Sequence, residues 1–277
     1  MWYSEVVCMY INRDKLFAEK QWMLDQMFDV VKSVLPVEAY AMKGGYILKS
    51  ILNTGSLTRN TRTTSDIDLD VASNEYFELI VNSLIPLIES WVKEGRIYKY
   101  SISNPRANAT GNIKLYRKKD ENTKAFVFCG IDIFVHPISY GIMMLEDELP
   151  CYAIERMLAD KFWSMHYTSS KKILYHRIKD LLDIYLIGRY LKSNCTEIKE
   201  DLLIKCVKLR MQSSGVSSVE DISNIEILFQ KYPESVYDLV SGEINNRISS
   251  SMRSTVLAED VINEGLAFIN YVLGVIS

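Results

Sequence analysis

Asp66-Ile67-Asp68-Leu69-Asp70-Val71 is the stretch on which the reading of this chain turns. Ile67, Leu69 and Val71 alternate with Asp66, Asp68 and Asp70, the period-two pattern of a strand with one apolar face, so the three carboxylates share the other. Aspartate is disfavoured in strands, and three on one face repel one another unless cations compensate. An Asp-apolar-Asp pair on its own is more often the solvent face of an edge strand than a site. A further carboxylate, Asp132 in Gly130-Ile131-Asp132-Ile133-Phe134, shifts that balance, because the same alternation places it in a second strand.

Working outward, apolar residues at helical spacing (Met23, Met27, Val30, Val34) predict a helix from about 13 to 35, ended by Pro36. A strand over 37–42, the run Lys43-Gly44-Gly45 and a helix over 46–52 follow. The polar stretch 53–65, carrying Gly55-Ser56, Arg59 and Arg62, then leads into the acidic strand. A helix over 74–93 is expected, capped by Asn74 and stopped by Gly95, with strands over 97–102, 113–116 and 125–135. From Cys151 the period is helical to the end, with breaks near Ser169, Ser193 to Cys195, Ser213 to Ser218 and Pro233. The expected class is α+β: a small mixed β-sheet flanked by helices over 1–149, then a helical domain over 150–277.

The 277 residues, 48% hydrophobic and 24% charged, belong to an ordinary globular chain and not a disordered one. A net charge of -3 gives no global drive towards nucleic acid or acidic membranes. Attraction for phosphates must then come from local clusters: Arg59 with Arg62, Arg117 with Lys118 and Lys119, and Lys171, Lys172, Arg177 and Lys179. The five cysteines (Cys8, Cys129, Cys151, Cys195, Cys206) include no CxxC pair, which argues against a disulfide framework or zinc site and for a reducing compartment. His136, His166 and His176 have no metal-ligand spacing. The amino terminus lacks the features of a signal peptide, and no run approaches the roughly 18 apolar residues of a membrane helix. A cytoplasmic protein without a membrane partner is expected.

Carboxylates spaced by one residue on a strand, joined by a third on a neighbouring strand, suit one or two Mg²⁺ ions, so Asp66, Asp68 and Asp132 are the candidate metal ligands. Such a site favours attack of a hydroxyl on a nucleoside triphosphate with loss of pyrophosphate. Asp70 is expected to be no more than a neighbour on the same face. Backbone N–H groups at a glycine leading into a helix can approach phosphate oxygens. Lys43-Gly44-Gly45 and Gly55-Ser56 both qualify, and the sequence does not choose between them.

The order of apolar strand, Gly-Gly or Gly-Ser, helix and Asp-apolar-Asp strand resembles the DNA polymerase β-like nucleotidyltransferase superfamily. Met42-Lys43-Gly44-Gly45 with Arg62-Thr63-Thr64-Ser65-Asp66-Ile67-Asp68-Leu69 more narrowly resembles the AbiEii toxin family, the nucleotidyltransferase half of a bacterial abortive-infection toxin-antitoxin system. Glu155 to Lys161 and Arg177-Ile178-Lys179-Asp180-Leu181-Leu182-Asp183-Ile184-Tyr185 resemble its later helices. The resemblance implies Mg²⁺-dependent transfer of an NMP from an NTP to the 3′ end of tRNA or another RNA, and a cognate antitoxin. It assigns Asp66, Asp68, Asp132 and Lys161 to catalysis, and Lys43, Gly44, Gly45, Ser56, Arg62, Arg177, Asp180 and Asp183 to the nucleotide. On a helix Arg177, Asp180 and Asp183 fall near one face, and the two carboxylates are expected to orient Lys161, Arg177 or the nucleotide and not to bind the metal. Transfer to a small molecule or a protein, a non-catalytic nucleotide-binding module, and a helical scaffold with an incidental acidic strand are the competing readings.

Overall fold

The computed structural model describes residues 2–54, 64–105, 110–136, 138, 141–145, 149–166, 171–213, 215, 233–248 and 252–276. The chain divides into two compact units, Met1–Ile47 with Thr63–Cys151, and Leu48–Arg62 with Tyr152–Ser277. The second unit takes in Leu48–Arg62, a stretch the sequence pattern leaves with the first.

In the first unit the elements run α1 (Trp2–Val34), β1 (Tyr40–Lys43), the start of α2 (Gly44–Thr54), β2 (Asp66–Val71), α3 (Asn74–Lys93), β3 (Lys99–Ser103), β4 (Gly111–Arg117), β5 (Phe126–Val135), β6 (Ile142–Leu145) and β7 (Leu149–Tyr152). The sheet order is β3-β4-β5-β2-β1-β7-β6. Strands β2 and β5 pair in parallel, as do β1 and β7, while β1/β2, β3/β4 and β4/β5 are antiparallel.

One sheet face is the core. Ile67 and Leu69 of β2, Ile113 and Leu115 of β4, and Ile131 and Ile133 of β5 are fully buried, with Met23, Met27 and Val31 of α1 and Ile80, Leu84 and Ile88 of α3. Both helices pack against β2 and β5. Burying each of these side chains contributes about 1.5–3 kcal/mol over leaving it exposed, which fixes the register: a one-residue slip would turn the whole apolar set to the other face. The carboxylates are thereby committed to the opposite, polar face.

Details depart from the sequence expectations in physical ways. Val37–Ala39, read as strand, forms a 3-10 turn after Pro36, and pairing starts only at Tyr40. Ser73, not Asn74, occupies the N-cap of α3, while Gly95, at φ +71°, ends that helix through its N–H to the Val92 carbonyl. The short strand β6 was not foreseen, and β7 runs through Cys151 and Tyr152, where a helical period was read.

The second unit comprises α4 (Ile154–His166), α5 (Lys171–Ser193), α6 (Glu200–Ser213), α7 (Pro233–Arg247) and α8 (Ala258–Ile276). Helix α5 packs against α4, α7 and α8 and is buried nearly all round over Ile178 to Ile187. A helix enclosed in this way is a core helix, and charged groups on it need partners. No described helix is long and apolar enough to cross a membrane.

Candidate active site

Register builds the site. Asp68 lies directly beside Asp132 across the parallel β2/β5 pairing, and Lys43 lies opposite Asp68 across β1/β2. Side chains in register on adjacent strands are about 5 Å apart at their bases, so Lys43, Asp68 and Asp132 form one row on the polar face. Asp66, two residues along β2, lies beside Gly130, which has no side chain. That glycine is required: a Cβ there would run into the Ile113 carbonyl of β4. The consequence is that no side chain of β5 stands beside Asp66.

Gly44 closes the row from the other side. It has φ +70°, and a Cβ on it would overlap the Asp68 carboxylate. Only glycine satisfies both demands, because a positive φ is costly for residues with a Cβ. Gly44 and Gly45 are also the first residues of α2, whose start carries partial positive charge and unused N–H groups suited to phosphate. Gly44→Ala is expected to cost about 1–3 kcal/mol in urea unfolding and to displace Asp68; an unchanged midpoint with wild-type activity would refute this account of Gly44.

Asp66 is oriented locally. Ser65 Oγ donates to its Oδ2 at 2.9 Å, and Thr64 Oγ1 donates to its carbonyl at 3.2 Å. Asp70 is more than a neighbour on the same face. It is 1% exposed, pairs with Lys43 through Oδ1, and takes His136 Nε2 at 3.0 Å on Oδ2. Lys43 Nζ also sits 3.5 Å from the centre of the Phe134 ring. Asp70 is therefore an anchor for the end of β1, the segment that presents Gly44 to Asp68.

Among the described residues no three His, Cys, Asp or Glu side chains converge into a ready-made metal cage. Asp66, Asp68 and Asp132 offer carboxylate oxygens, the ligand type of Mg²⁺, an ion commonly held by one or two protein carboxylates with substrate phosphates and water. Asp68 and Asp132 are the in-register pair, with Asp66 one step along the same face. Gly44 lets the Asp68 carboxylate lie against the start of α2, and three carboxylates on one polar face are a donor set that fits such an ion.

In the second unit, Lys161 of α4 reaches two carboxylates of α5. Its Nζ lies 2.5 Å from Asp183 Oδ2 and 3.4 Å from Asp180 Oδ1. Arg177 Nη1 stands 3.8 Å from Asp180 Oδ2, near enough for an ion pair but too far for a hydrogen bond, and that oxygen has no hydrogen-bond partner among the described residues. Lys161, Arg177, Asp180 and Asp183 thus form one cluster. Gly55, Ser56, Arg59 and Arg62 lie outside the described residues.

Other sequence candidates serve structure. Arg117 makes a two-pronged contact with Glu19 at 2.8 and 2.5 Å and lies 3.9 Å over the Phe128 ring, so its charge is spent within the fold. The Arg117 hydrogen bond in turn holds the Glu19 carboxyl below the usual carboxylate range. Burial pushes the Cys129 and Cys151 thiols up to about 12, which rules them out as thiolate nucleophiles at neutral pH. Sequence reasoning missed Asn112 and Lys114, which the β4/β5 register places beside Asp132 and Gly130; their alternation with Ile113 and Leu115 was the available signal.

Solved structures similar to this chain include JHP933 from Helicobacter pylori, at 11% identity and a TM-score of 0.47 over 91% of each chain. They also include MenT4, a nucleotidyltransferase toxin from Mycobacterium tuberculosis, at 13% identity and a TM-score of 0.45 over 73% of this chain and 68% of that one. Comparison with curated proteins gives no match. The family described as "Nucleotidyl transferase AbiEii toxin, Type IV TA system" matches residues 31–255, and by that match this chain belongs to the AbiEii nucleotidyltransferase toxin family.

Proposed function

We propose that this protein transfers an NMP from an NTP to the 3′ hydroxyl of an RNA such as a tRNA, in a Mg²⁺-dependent reaction, as the toxin partner of a cognate antitoxin. The observation that carries this reading is the placement of Asp68 beside Asp132, with Gly44 pressed against Asp68. Asp66, Asp68 and Asp132 would hold Mg²⁺, which when bound lowers the pKa of the attacking hydroxyl and neutralises the leaving pyrophosphate.

The remaining work falls to the chain itself. Gly44 and Gly45 offer backbone N–H groups to phosphate oxygens. Asp132 takes up the proton of the acceptor hydroxyl as its oxygen bonds to the α-phosphorus and the bond to pyrophosphate breaks. Asp70 keeps Lys43 at the end of β1, so that Gly44 keeps its place. Lys161, held by Asp180 and Asp183, and Arg177 beside them are the further charged residues that the family resemblance assigns to the reaction. Family membership supports the choice of RNA and a site of action in the cytoplasm, where that RNA is found.

The test is incubation of the purified protein with each α-labelled NTP, Mg²⁺ and total RNA. Label is expected on RNA with one nucleotide preferred, and to be lost with EDTA. Label on protein or a small molecule alone, or none on any acceptor, would overturn the proposal.

A further inference from the structure

The polar face of the sheet does not stop at the carboxylates. Following the register from Asp132 towards the β3 edge, Asn112 lies beside Asp132 and Ser103 beside Asn112. In the neighbouring rows, Lys114 lies beside Gly130 with Ser101 next to it, and Lys99 lies beside Tyr116. Directly paired residues of an antiparallel ladder point to the same side of the sheet, so these six share the face of Asp132. They include two ammonium groups, an amide and three hydroxyls, and no carboxylate. Ile113 and Leu115, which alternate with them on β4, are buried on the opposite face.

The charge on this shelf is available. Lys114 has no ion pair among the described residues, and Lys99 rests 5.3 Å from the centre of the Tyr116 ring, a contact that leaves its charge uncompensated by any acid. Lys99, Ser101 and Ser103 are exposed. Gly130, which has no side chain, separates Lys114 from Asp66, so no side chain of the intervening strand stands between the cationic shelf and the carboxylates. A ligand that fits is an anion extended over several repeats, with one end at Asp132.

We infer that the β3–β4 polar face is the acceptor platform: it seats the single-stranded 3′ segment of an RNA, with Lys114 and Lys99 against successive phosphates and Asn112, Ser101 and Ser103 bonding sugar or phosphate oxygens, and delivers the terminal hydroxyl to Asp132. This inference rests on the reading of the protein as an RNA nucleotidyltransferase. Lysine on phosphate contributes affinity without sequence preference, and each such contact to a single strand adds about 0.7 to the slope of log affinity against log salt.

The experiment uses the full-length protein and a fluorescein-labelled single-stranded oligoribonucleotide with a free 3′ hydroxyl. Binding is followed by anisotropy without NTP at several salt concentrations, and transfer is then measured at saturating NTP. Lys114→Gln and Lys99→Gln are each expected to weaken binding about three- to tenfold and to lower the salt slope by about 0.7. They should raise KM for RNA while leaving KM for NTP unchanged. Lys93→Gln, an exposed lysine ending α3 on the other side of the sheet, should behave as wild type. Wild-type protein that binds no RNA, or lysine variants with wild-type affinity, slope and RNA KM, would overturn the platform. In the second case transfer by the wild type would leave the enzymatic reading standing. Absence of transfer by the wild type would instead overturn the enzymatic reading.

Discussion

Asp68→Asn and Asp132→Asn are each expected to reduce NMP transfer about a thousandfold while leaving the protein folded. The loss corresponds to about 4 kcal/mol of transition-state stabilisation, within the several kcal/mol that bound metal supplies to a developing charge. The folded state should not suffer, because the two carboxylates lie side by side in register. Like charges so placed interact by about 0.2–1 kcal/mol, so the change in melting temperature should be small. The double variant should be little worse than either single one, as for groups that act as a unit. Asp66→Asn is expected to lose less if the in-register pair dominates. Single-turnover rates with labelled NTP, alongside thermal melts, decide the matter. Either variant retaining a tenth or more of wild-type activity would remove the pair from the centre of the mechanism.

That expectation was only partly legible in the sequence. Strict alternation over Asp66 to Val71 and over Ile131 to Ile133 identifies two strands and the face each carboxylate takes, because apolar burial alone decides it. Alternation cannot say which carboxylate meets which. The match of Asp68 with Asp132 and of Asp66 with Gly130 is a property of register, set by packing against α1 and α3. Asp70 was misread for the same reason. Its position in the repeat equals that of Asp66 and Asp68, yet it is buried, because Lys43 from β1 and His136 beyond β5 converge on it from positions distant in sequence. Strands β6 and β7 escaped because four-residue stretches such as Leu149-Pro150-Cys151-Tyr152 carry too few alternations to be told from a helix start. The cluster on α4 and α5 could be paired in advance only through resemblance, since helical spacing groups Arg177, Asp180 and Asp183 but says nothing about Lys161.

Lys161→Met is the second substitution with a large expected effect, here on stability. Asp183 and Asp180 have side chains 1% and 6% exposed, and Lys161 Nζ lies 2.5 Å from the first and 3.4 Å from the second. Removing the ammonium leaves two buried carboxylates facing each other. Breaking one partner from a buried ion cluster costs about 3–5 kcal/mol. Arg177, 42% exposed and 3.8 Å from Asp180 Oδ2, stands too far off to replace the ammonium. Urea unfolding should therefore show a markedly lower midpoint, and a midpoint within error of wild type would refute the cluster. The triple replacement Lys161→Met, Asp180→Leu, Asp183→Leu separates stability from function. Replacing a buried ion cluster by apolar groups of similar volume is often neutral or stabilising, so most of the lost stability should return. If the cluster holds Lys161 ready for the triphosphate, NTP will no longer raise the melting temperature of this refolded variant, although wild-type protein at NTP concentrations a hundredfold above Kd gains about 2.7 kcal/mol. A stable triple variant that still responds to NTP as wild type would show that these charges serve the packing of α4 on α5 and not the nucleotide.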